Sequence, residues 1–372
     1  MTFGRERARG VQGRAATLPR VSRFRVDLRS DTVSSPSAEM RTAMAAAEVG
    51  DAWYGDDPTA NRLQELAAER LGKQAALYVP TGTMANQIAL ALHVRTRGHL
   101  VASSAASHVA TTELMTAAAL SGIAFRTADP GPQGWIDADQ ARTLLEPDTY
   151  YDVEVVDLLS VENTLGGAGG RVMPVDELRA VRKVADEAEV PVHLDGARLF
   201  NAAAASGVDA EEFAREADTV MFCVSKGLGA PIGSLLCGPA DLMPEARRLQ
   251  ILFGGAWRQA GITAAAGIVA LQHGPERLHE DHERARRLAE GVSERLPGSV
   301  DLAQVETNMV FVDTEAVGLD LLETVGQLEA LGVGVTHGAG KVRMVTHVDV
   351  SDDGVAVALD AWASVTGGMQ PG

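Results

Sequence analysis

The sequence predicts an α/β fold: a large domain built on a mainly parallel, seven-stranded sheet flanked by helices, followed by a smaller C-terminal α+β domain. Two observations lead to this prediction. From about Val26 onwards, short apolar runs alternate with longer helical patterns, as they do in parallel sheets covered by helices on both faces. Beyond residue 275 this alternation is replaced by a smaller set of strands and helices.

Seven apolar runs of strand length make up the large sheet. They are residues 75–79, 100–102, 123–126, 153–161, 190–194, 220–224 and 234–237. The helical patterns between them include residues 60–71, 84–96, 175–188 and 209–216. We therefore place the large domain at residues 26–275.

Two long helical patterns, residues 262–272 and 276–296, lead into the smaller domain. Its further elements are strands at residues 309–312 and 342–346 and helices at residues 319–331 and 353–364. We place this domain at residues 276–372.

The first 25 residues are predicted to form a disordered basic tail. Glu6 is the only acid before Asp27, whereas arginine occupies positions 5, 7, 9, 14, 20, 23 and 25. A transit peptide or a nucleic-acid-binding arm is the alternative. A plain tail is favoured because no apolar core segment follows the arginines.

The charge and the cysteines limit the partners and the setting. A net charge of -17 repels phosphate backbones and anionic lipids, so we expect neither nucleic acid nor a membrane as partner. Cys223 and Cys237 lie in separate apolar stretches and form no CxxC pair, which argues against a disulfide framework or a zinc site. A reducing cytoplasm is the simplest location.

Three polar clusters fall where strands of the large sheet end, and ligands of open α/β sheets bind outside such ends. In the first cluster a strand runs through Gly82 and Thr83 into a helix. Gly82 allows a close backbone approach, Thr83 offers a hydroxyl, and the helix start offers free N–H groups to a phosphate. On its own this signal is weak, because threonine at a helix start is more often an N-cap.

The second cluster is Asp195, at the end of an apolar strand, with Arg198 three residues later. A carboxylate there is costly unless a cation faces it, and a protonated pyridine nitrogen would serve. Arg198 offers a bidentate fork for a carboxylate. The alternative is an internal Asp–Arg ion pair.

The third cluster contains Lys226, which follows a strongly apolar strand and precedes Gly227, Gly229 and Gly233. Desolvation lowers the pKa of a lysine and makes its amine a nucleophile suited to Schiff-base formation. The glycine spacing does not match the dinucleotide-binding fingerprint. A structural lysine that snorkels from a strand end is the alternative, and the three clusters together outweigh it.

Longer motifs surround these clusters. They are Asp27-Leu-Arg-Ser-Asp-Thr-Val33, Tyr54-Gly-Asp-Asp-Pro-Thr59, Val161-Glu-Asn-Thr164, His193-Leu-Asp-Gly-Ala-Arg198, Ser225-Lys-Gly-Leu-Gly-Ala-Pro231, Gly254-Gly-Ala-Trp-Arg-Gln-Ala260 and Val342-Arg-Met-Val-Thr-His347. With them the chain resembles the low-specificity L-threonine aldolases. These belong to the β-eliminating lyase group of enzymes that use pyridoxal 5′-phosphate (PLP) and have the PLP-dependent transferase fold of aspartate aminotransferase. The similarity runs from Asp27 to about Val365.

The resemblance implies a PLP cofactor and a set of residues around it. Lys226 would hold PLP as a Schiff base, Asp195 would pair with the pyridine nitrogen, and His108 would stack on the ring. Gly82 and Thr83 would hold the phosphate, with Arg258 reaching in from a neighbouring subunit. The groups that match the grip on the substrate carboxylate are Ser30, Arg198 and Arg343.

The activity implied by the resemblance is cleavage of the Cα–Cβ bond of a threonine-like β-hydroxy-α-amino acid to glycine and an aldehyde, or the reverse. The partners are then a small amino acid and other copies of the chain, in a homodimer or homotetramer with shared active sites.

Several positions depart from the family pattern. Leu165 replaces a histidine expected near the β-hydroxyl group, and leucine cannot accept a proton. The segment 109–112, Val-Ala-Thr-Thr, replaces an aromatic stretch and should enlarge the pocket. Ile251 stands where a lysine is usual, so the phosphate site has one cation fewer, and Ala256 and Trp257 replace a glycine and a methionine.

These departures leave alternatives open. A β-elimination or a specialised amino-acid substrate is the first of them, and a non-catalytic PLP-binding regulatory protein is the second. No metal is expected, because His273, His279 and His282 lie on a helical pattern dense in Arg and Glu that is typical of a solvated face.

Overall fold

The fold was analysed in a computed structural model, which describes residues 23–146 and 154–367. The strands are β1 (Val26–Asp27), β2 (Ala75–Val79), β3 (Leu100–Ser104), β4 (Ala124–Ala128), β5 (Val156–Glu162), β6 (Val192–Asp195), β7 (Thr219–Cys223), β8 (Ser234–Gly238), β9 (Met309–Val312), β10 (Val333–Gly334), β11 (Thr336–Gly338) and β12 (Lys341–Val345).

The α-helices alternate with these strands along most of the chain. They are α1 (Ala38–Ala46), α2 (Pro58–Arg70), α3 (Gly82–His93), α4 (His108–Thr111), α5 (Leu114–Ser121), α6 (Ala138–Leu145), α7 (Val175–Glu187), α8 (Leu199–Ser206), α9 (Ala210–Arg215), α10 (Met243–Leu252), α11 (Gly261–Arg295), α12 (Leu321–Ala330) and α13 (Asp352–Thr366). Among the described residues, no helix has both the length and the apolar composition that a bilayer crossing requires.

The predicted seven-stranded, mainly parallel sheet is confirmed. Its strand order is β2-β8-β7-β6-β5-β3-β4, and β8 is antiparallel to both of its neighbours. The other pairs are parallel, so β3, β5, β6 and β7 end at the same edge. That edge is where a ligand of an open α/β sheet is expected to bind.

Both faces of the sheet are covered, because side chains alternate between the faces along each strand. Val220 and Phe222 of β7 belong to the largest apolar cluster, which also contains residues of α2, α7 and α11. Met221 and Cys223 belong instead to a second cluster with residues of α3 and α10. This arrangement explains why the strand sequences are almost continuously apolar.

The smaller core has a three-stranded antiparallel sheet, in the order β11-β12-β9, packed against α11, α12 and α13. Trp362 is its largest fully buried side chain, and Trp362 Nε1 lies 3.4 Å from Met344 Sδ. Strand β1 joins this core by pairing with β10, which brings in Val26 and Leu28 from the other end of the chain.

One predicted boundary differs from the structure. The two helical patterns at residues 262–272 and 276–296 are one helix, α11, with Pro275 inside it. Its first half packs in the large core through Ala270 and Leu271, and its second half packs in the small core through Leu288. Proline lacks the N–H group that continues a helix, which is why the sequence pattern suggested a break there. The division of the chain at residue 275 stays a prediction.

The predicted N-terminal tail lies outside the described residues as far as residue 22. The last three residues of that prediction are described and make contacts: Phe24 is buried, and Arg25 N donates to Gly332 O at 2.7 Å. The start of the predicted strand 153–161 also lies outside the described residues, and β5 begins at Val156.

The small core supplies the first testable prediction. Trp362→Ala should lower the free energy of unfolding by about 3–5 kcal/mol, because the change removes a large buried side chain and leaves a cavity. Leu322→Ala on α12 is a suitable control, since Leu322 is 65% exposed and its loss should cost about 0.5 kcal/mol or less. Urea unfolding of both variants tests this, and equal losses would contradict the packing described here.

Candidate active site

Two adjoining cavities lie at the edge where the parallel strands end. The first, which we call the α3 cavity, has a volume of about 360 Å³ and is bounded by Gly82, Thr83 and Ser225. The second, the arginine cavity, has a volume of about 370 Å³ and is bounded by Ser30, Arg198 and Arg343. His108, Asp195 and Lys226 line both. The structure therefore brings together all the predicted site residues except Arg258.

The α3 cavity ends at the N-terminus of α3. Thr81 caps this helix, since its hydroxyl accepts from Met84 N at 3.1 Å. A Cβ on Gly82 would lie 2.8 Å from the terminal carbon of Met221 and 2.9 Å from Cys223 Sγ, so a larger residue here would require these side chains to move. The first N–H groups of the helix have no partner within it and favour an anion such as a phosphate.

Asp195 is held at the end of β6 by neutral groups. Its Oδ2 accepts from Asn86 Nδ2 at 2.7 Å and its Oδ1 accepts from Ala197 N at 3.1 Å. Asn86 Oδ1 is in turn 3.0 Å from Nε2 of the buried His193. Burial lowers the pKa of His193 to about 4, so this imidazole is neutral at physiological pH. No cation within the described residues pairs with the Asp195 carboxylate.

Lys226 follows β7, and its side chain reaches both cavities. Its amine has no hydrogen bond or ion pair to any residue in the part of the chain that the structure describes. The amine is thus available to a ligand, as the nucleophile hypothesis requires.

His108 stands at the start of α4, on the wall that both cavities share. Its Nδ1 lies 2.6 Å from Oε1 of the buried Glu113, and this hydrogen bond raises the pKa of His108 against the opposing effect of burial. Ligand atoms of His108, Glu113 and Asp195 lie within 4.8 Å of one another, as a metal site would need. Asn86, however, donates to both carboxylates, so hydrogen bonds already tie these groups together.

Arg198 forms an ion pair, but not with its sequence neighbour Asp195. Its Nε and Nη2 donate to the two carboxylate oxygens of the fully buried Asp31, at 2.7 and 2.6 Å. Arg343 lies in the same cavity and donates to Arg29 O at 3.1 Å. Burial, followed by the charge of Arg198, lowers the pKa of Arg343 to about 10, which leaves it protonated at neutral pH. Arg198 and Arg343 together with the single carboxylate of Asp31 leave a net positive charge at this end of the cavity.

Glu162, at the end of β5, is a site residue that was not identified from the sequence. Its Oε2 accepts from His108 N at 2.7 Å and its Oε1 accepts from Gly166 N at 2.8 Å. Burial, helped by the nearby charge of Asp195, raises the pKa of Glu162 to about 7. A carboxyl group that titrates near neutrality in a cavity is a candidate for proton transfer.

The expectation for Leu165 differs from the structure, whereas that for Arg258, which concerns a neighbouring subunit, stays a prediction. Arg258 lies outside both cavities of its own chain, where it is 58% exposed, stacks on Trp53 and pairs with Asp51 at 3.4 Å. The side chain of Leu165 is 3% exposed and packs in the large core near Trp135 and Met173, whereas its neighbours Thr164 and Gly166 line the arginine cavity.

The model of the family "Beta-eliminating lyase" matches residues 27–316, which is more than half of the chain. This chain belongs to the β-eliminating lyase family. It is 40% identical over 337 residues to the low specificity L-threonine aldolase of Escherichia coli, covering 91% of this chain and 98% of that protein. It is 37% identical over 350 residues to low-specificity L-threonine aldolase 1 of Arabidopsis thaliana, covering 93% and 97% of the two chains. The predicted resemblance is confirmed.

Solved structures support the fold of this lyase. The threonine aldolase of Leishmania major superposes with a TM-score of 0.75 at 19% identity, covering 92% of this chain and 99% of that one. At this level of identity the likeness concerns the fold alone, and it confirms the predicted fold class.

The site residues that the sequence reasoning missed are Asp31, Asn86, Glu113, Glu162 and His193. Three of them stood inside motifs that had been singled out, but their roles depend on contacts between distant segments. The dependence on distant contacts is clearest for Asn86. This residue lies one helical turn after Gly82, on the side of α3 that meets β6. Polar residues in the first turns of a helix at a strand end were a signal that could have been followed.

Glu162 supplies the second prediction for this lyase. In the ligand-free protein, the native state keeps a proton on Glu162 that the unfolded chain has already released. The resulting stability is present below the ordinary carboxyl pKa and is lost as the pH rises through about 7. As the pH rises from 5 to 8, the melting temperature of the wild type should therefore fall relative to that of Glu162→Gln.

Glu65→Gln serves as the control, because the Glu65 side chain is 63% exposed. Its melting temperature relative to the wild type should stay constant over the same range. A constant difference for Glu162→Gln as well would show that Glu162 titrates as an ordinary carboxyl group.

Proposed function

We propose that this chain is a PLP-dependent aldolase-type lyase. It would cleave the Cα–Cβ bond of a threonine-like β-hydroxy-α-amino acid to give glycine and an aldehyde, or catalyse the reverse reaction. The observation that carries the proposal is the position of the Lys226 amine between two cavities, one suited to a phosphate-bearing cofactor and one suited to a carboxylate. The low-specificity L-threonine aldolases among its relatives support the same reaction.

The residues of the α3 cavity fit PLP. Lys226 would bind it through the amine, and the Asp195 carboxylate, which lacks a cationic partner among the described residues, would face the pyridine nitrogen. Gly82, Thr83 and the N-terminus of α3 would hold the phosphate, and His108 would lie against the ring. When bound, PLP supplies an electron sink for the electron pair released from the Cα–Cβ bond.

The arginine cavity would bind and orient the amino acid. Arg343 and the guanidinium edge of Arg198 that Asp31 leaves free would receive the α-carboxylate, with Ser30 beside them. This grip fixes the substrate at one end, so that the bond to be broken takes a single orientation.

A proton must leave the β-hydroxyl group as the Cα–Cβ bond breaks, and the carbon that becomes Cα of glycine must gain one. Glu162 and His108 lie in the arginine cavity and are hydrogen-bonded to each other through His108 N. With a pKa of about 7, Glu162 can accept and return a proton near neutral pH. Leu165 takes no part, because its side chain points into the core.

We infer further that the site is shared in a homodimer or homotetramer. Arg258 is exposed and lies apart from its own chain's cavities, yet it is held in place by Trp53 and Asp51. Exposed apolar side chains nearby, such as Tyr54 at 77% and Leu252 at 64%, support contact with a second copy. Arg258 would then reach the phosphate of the partner's cofactor.

A reducing cytoplasm remains the proposed location, because Cys223 and Cys237 are both buried and unpaired.

The third prediction tests the reaction. Purified protein loaded with PLP should release aldehyde from L-threonine, L-allo-threonine or β-phenylserine, and Lys226→Ala should lower the rate at least 1,000-fold because it removes the amine that would bind the cofactor. Lys183→Ala, at an exposed position on α7, is the matched control and should retain the wild-type rate.

Aldehyde is to be detected with a coupled dehydrogenase assay. If PLP binds but no aldehyde forms, the aldolase proposal fails. Release of ammonia and a keto acid instead would establish β-elimination, and the absence of any turnover would favour a regulatory PLP-binding protein.

A further inference from the structure

A continuous chain of hydrogen bonds runs from the Asp195 carboxylate to the far end of α3. Asp195 Oδ2 accepts from Asn86 Nδ2 at 2.7 Å, and Asn86 Oδ1 lies 3.0 Å from His193 Nε2. His193 Nδ1 lies 3.0 Å from the Thr219 hydroxyl, which lies 3.1 Å from His93 Nε2. His93 is the last residue of α3 and is partly exposed, so the chain connects the candidate site with the protein surface.

The packing of α3 on the large sheet brings these side chains together. Asn86 and His93 are seven residues apart, which is about two helical turns, so they share one face of the helix. His193 of β6 and Thr219 of β7 are partners in the parallel register, so their side chains lie on the same face of the sheet. The polar atoms of the two strands therefore lie between those of the two helical turns.

The surroundings of the chain are apolar. The cluster between α3 and the sheet contains Ile88 and Leu92 of the helix and Met221 of β7. Apolar side chains of the same shape can replace a pair of buried hydrogen-bonding groups at little cost, yet His193 and Thr219 are both fully buried. The group that needs such partners is the carboxylate at the end of the chain, because a buried charge is costly without hydrogen bonds.

All the hydrogen bonds of the chain point towards the carboxylate. A carboxylate only accepts, so the nitrogen of Asn86 faces Asp195 and the amide oxygen accepts from His193 Nε2. Burial lowers the pKa of His193 to about 4, so the ring is neutral and its Nδ1 accepts from Thr219. A hydroxyl has only one hydrogen, so Thr219 must accept from His93 Nε2. His93 Nε2 therefore carries a proton whether the imidazole is neutral or charged.

Hydrogen bonds that point the same way strengthen one another, by about 10–30% per bond. The chain thus makes Asn86 a better donor to Asp195. Asn86 Nδ2 also donates to Glu113 Oε1 at 3.2 Å, so two carboxylates hold the amide nitrogen while His193 holds the amide oxygen. A carboxylate that receives a stronger hydrogen bond keeps its negative charge more readily and binds a proton less tightly.

We propose that His93 and Thr219 are positioning residues for Asp195. Acting through His193 and Asn86, they hold the carboxylate in place and lower its affinity for a proton, so that the proton shared with a bound pyridine ring stays on the ring nitrogen. The electron sink that PLP supplies depends on that protonated nitrogen. This inference rests on the proposed function, because it takes PLP as the ligand that faces Asp195.

The fourth prediction concerns the Thr219 hydroxyl in PLP-loaded enzyme without substrate. The absorbance of PLP bound to Lys226 changes with pH as the nitrogen that joins them gains or loses a proton. Thr219→Val keeps the shape of the side chain but removes the hydroxyl, so the positive charge on the ring should fall and the joining nitrogen should hold its proton more tightly. The midpoint of the absorbance change should therefore rise by roughly 0.3–1 pH unit.

Thr219→Ser is the matched control, because it keeps the hydroxyl and removes only the methyl group. Its midpoint should equal that of the wild type, whereas a loss of packing alone would affect it more than Thr219→Val. His93→Leu is the second test variant, in case the loss of the buried hydroxyl prevents folding. It changes a partly exposed position and should shift the midpoint in the same direction. His93→Gln, whose amide can still donate to Thr219, should restore the wild-type midpoint.

A measurement on the cofactor-free protein separates this inference from the aldolase proposal. In proton NMR spectra, the side-chain amide hydrogens of Asn86, assigned by their absence from Asn86→Ala, report the strength of the hydrogen bond to Asp195. Their resonance should move towards that of a free amide in Thr219→Val and in His93→Leu and should stay unchanged in Thr219→Ser. Nitrogen NMR of labelled histidine should show His193 neutral, with its proton on Nε2.

The outcomes are distinct. If the midpoint and the Asn86 resonance both depend on the Thr219 hydroxyl but no aldehyde forms from any substrate, the aldolase proposal fails and this inference stands. If aldehyde is released but the midpoint is the same in the wild type, Thr219→Val and His93→Leu, the inference is overturned. If the wild type binds no PLP, the proposed function fails and the Asn86 resonance decides alone: dependence on the Thr219 hydroxyl upholds the positioning of Asp195, and independence overturns it.

Discussion

The buried carboxylate of Asp31 connects three parts of the molecule that are far apart in the sequence. It belongs to the N-terminal segment, it accepts two hydrogen bonds from Arg198 at the edge of the large sheet, and Asn308 of the small domain donates to it at 3.4 Å. Burial alone would raise the pKa of Asp31, but Arg198, Lys226 and Arg343 together hold it below its usual range. The carboxylate therefore stays ionised, and breaking such a buried pair costs about 3–5 kcal/mol.

The charge of Asp31 also determines what the arginine cavity can bind. Two arginines without a counter-ion would repel each other in a partly buried space, whereas the Asp31 carboxylate compensates the charge of Arg198. The charge of Arg343 is then left to attract an anionic group, as the proposed function requires. The ion pair thus fixes the position of Arg198 through its Nε and Nη2 atoms and leaves Arg343 the less constrained of the two cations.

The position of Asp195 is likewise fixed by hydrogen bonds, but its partners are neutral groups. Because carboxylates only accept hydrogen bonds, the amide nitrogen of Asn86 must face Asp195 and its oxygen must face His193. His193 is neutral, so its proton is on Nε2, and Nδ1 accepts from the Thr219 hydroxyl at 3.0 Å. The Asp195 carboxylate thus accepts hydrogen bonds only from neutral donors among the described residues and remains available to a cationic ligand.

The sequence was sufficient for the sheet and for the residues at the strand ends, because apolar runs and turn residues are local signals. It predicted β6 with Asp195 at its end and the approach to Lys226 after β7. It did not predict that α11 is continuous, since the local effect of Pro275 is outweighed by packing on both cores. It also could not pair Arg198 with Asp31, which lies 167 positions away, or turn Leu165 into the core.

The chemistry of the two cavities has a consequence for selectivity. Charged and hydrogen-bonded groups define the α3 and arginine cavities, so a ligand that lacks a matching group leaves buried polar atoms unpaired and is strongly rejected. Under the proposed function, Arg198 and Arg343 would select for the carboxylate of the amino acid, whereas Asp195 and Lys226 would select for the cofactor. The two kinds of recognition depend on different residues, so a substitution among the arginines can weaken substrate binding without altering the groups that would hold PLP.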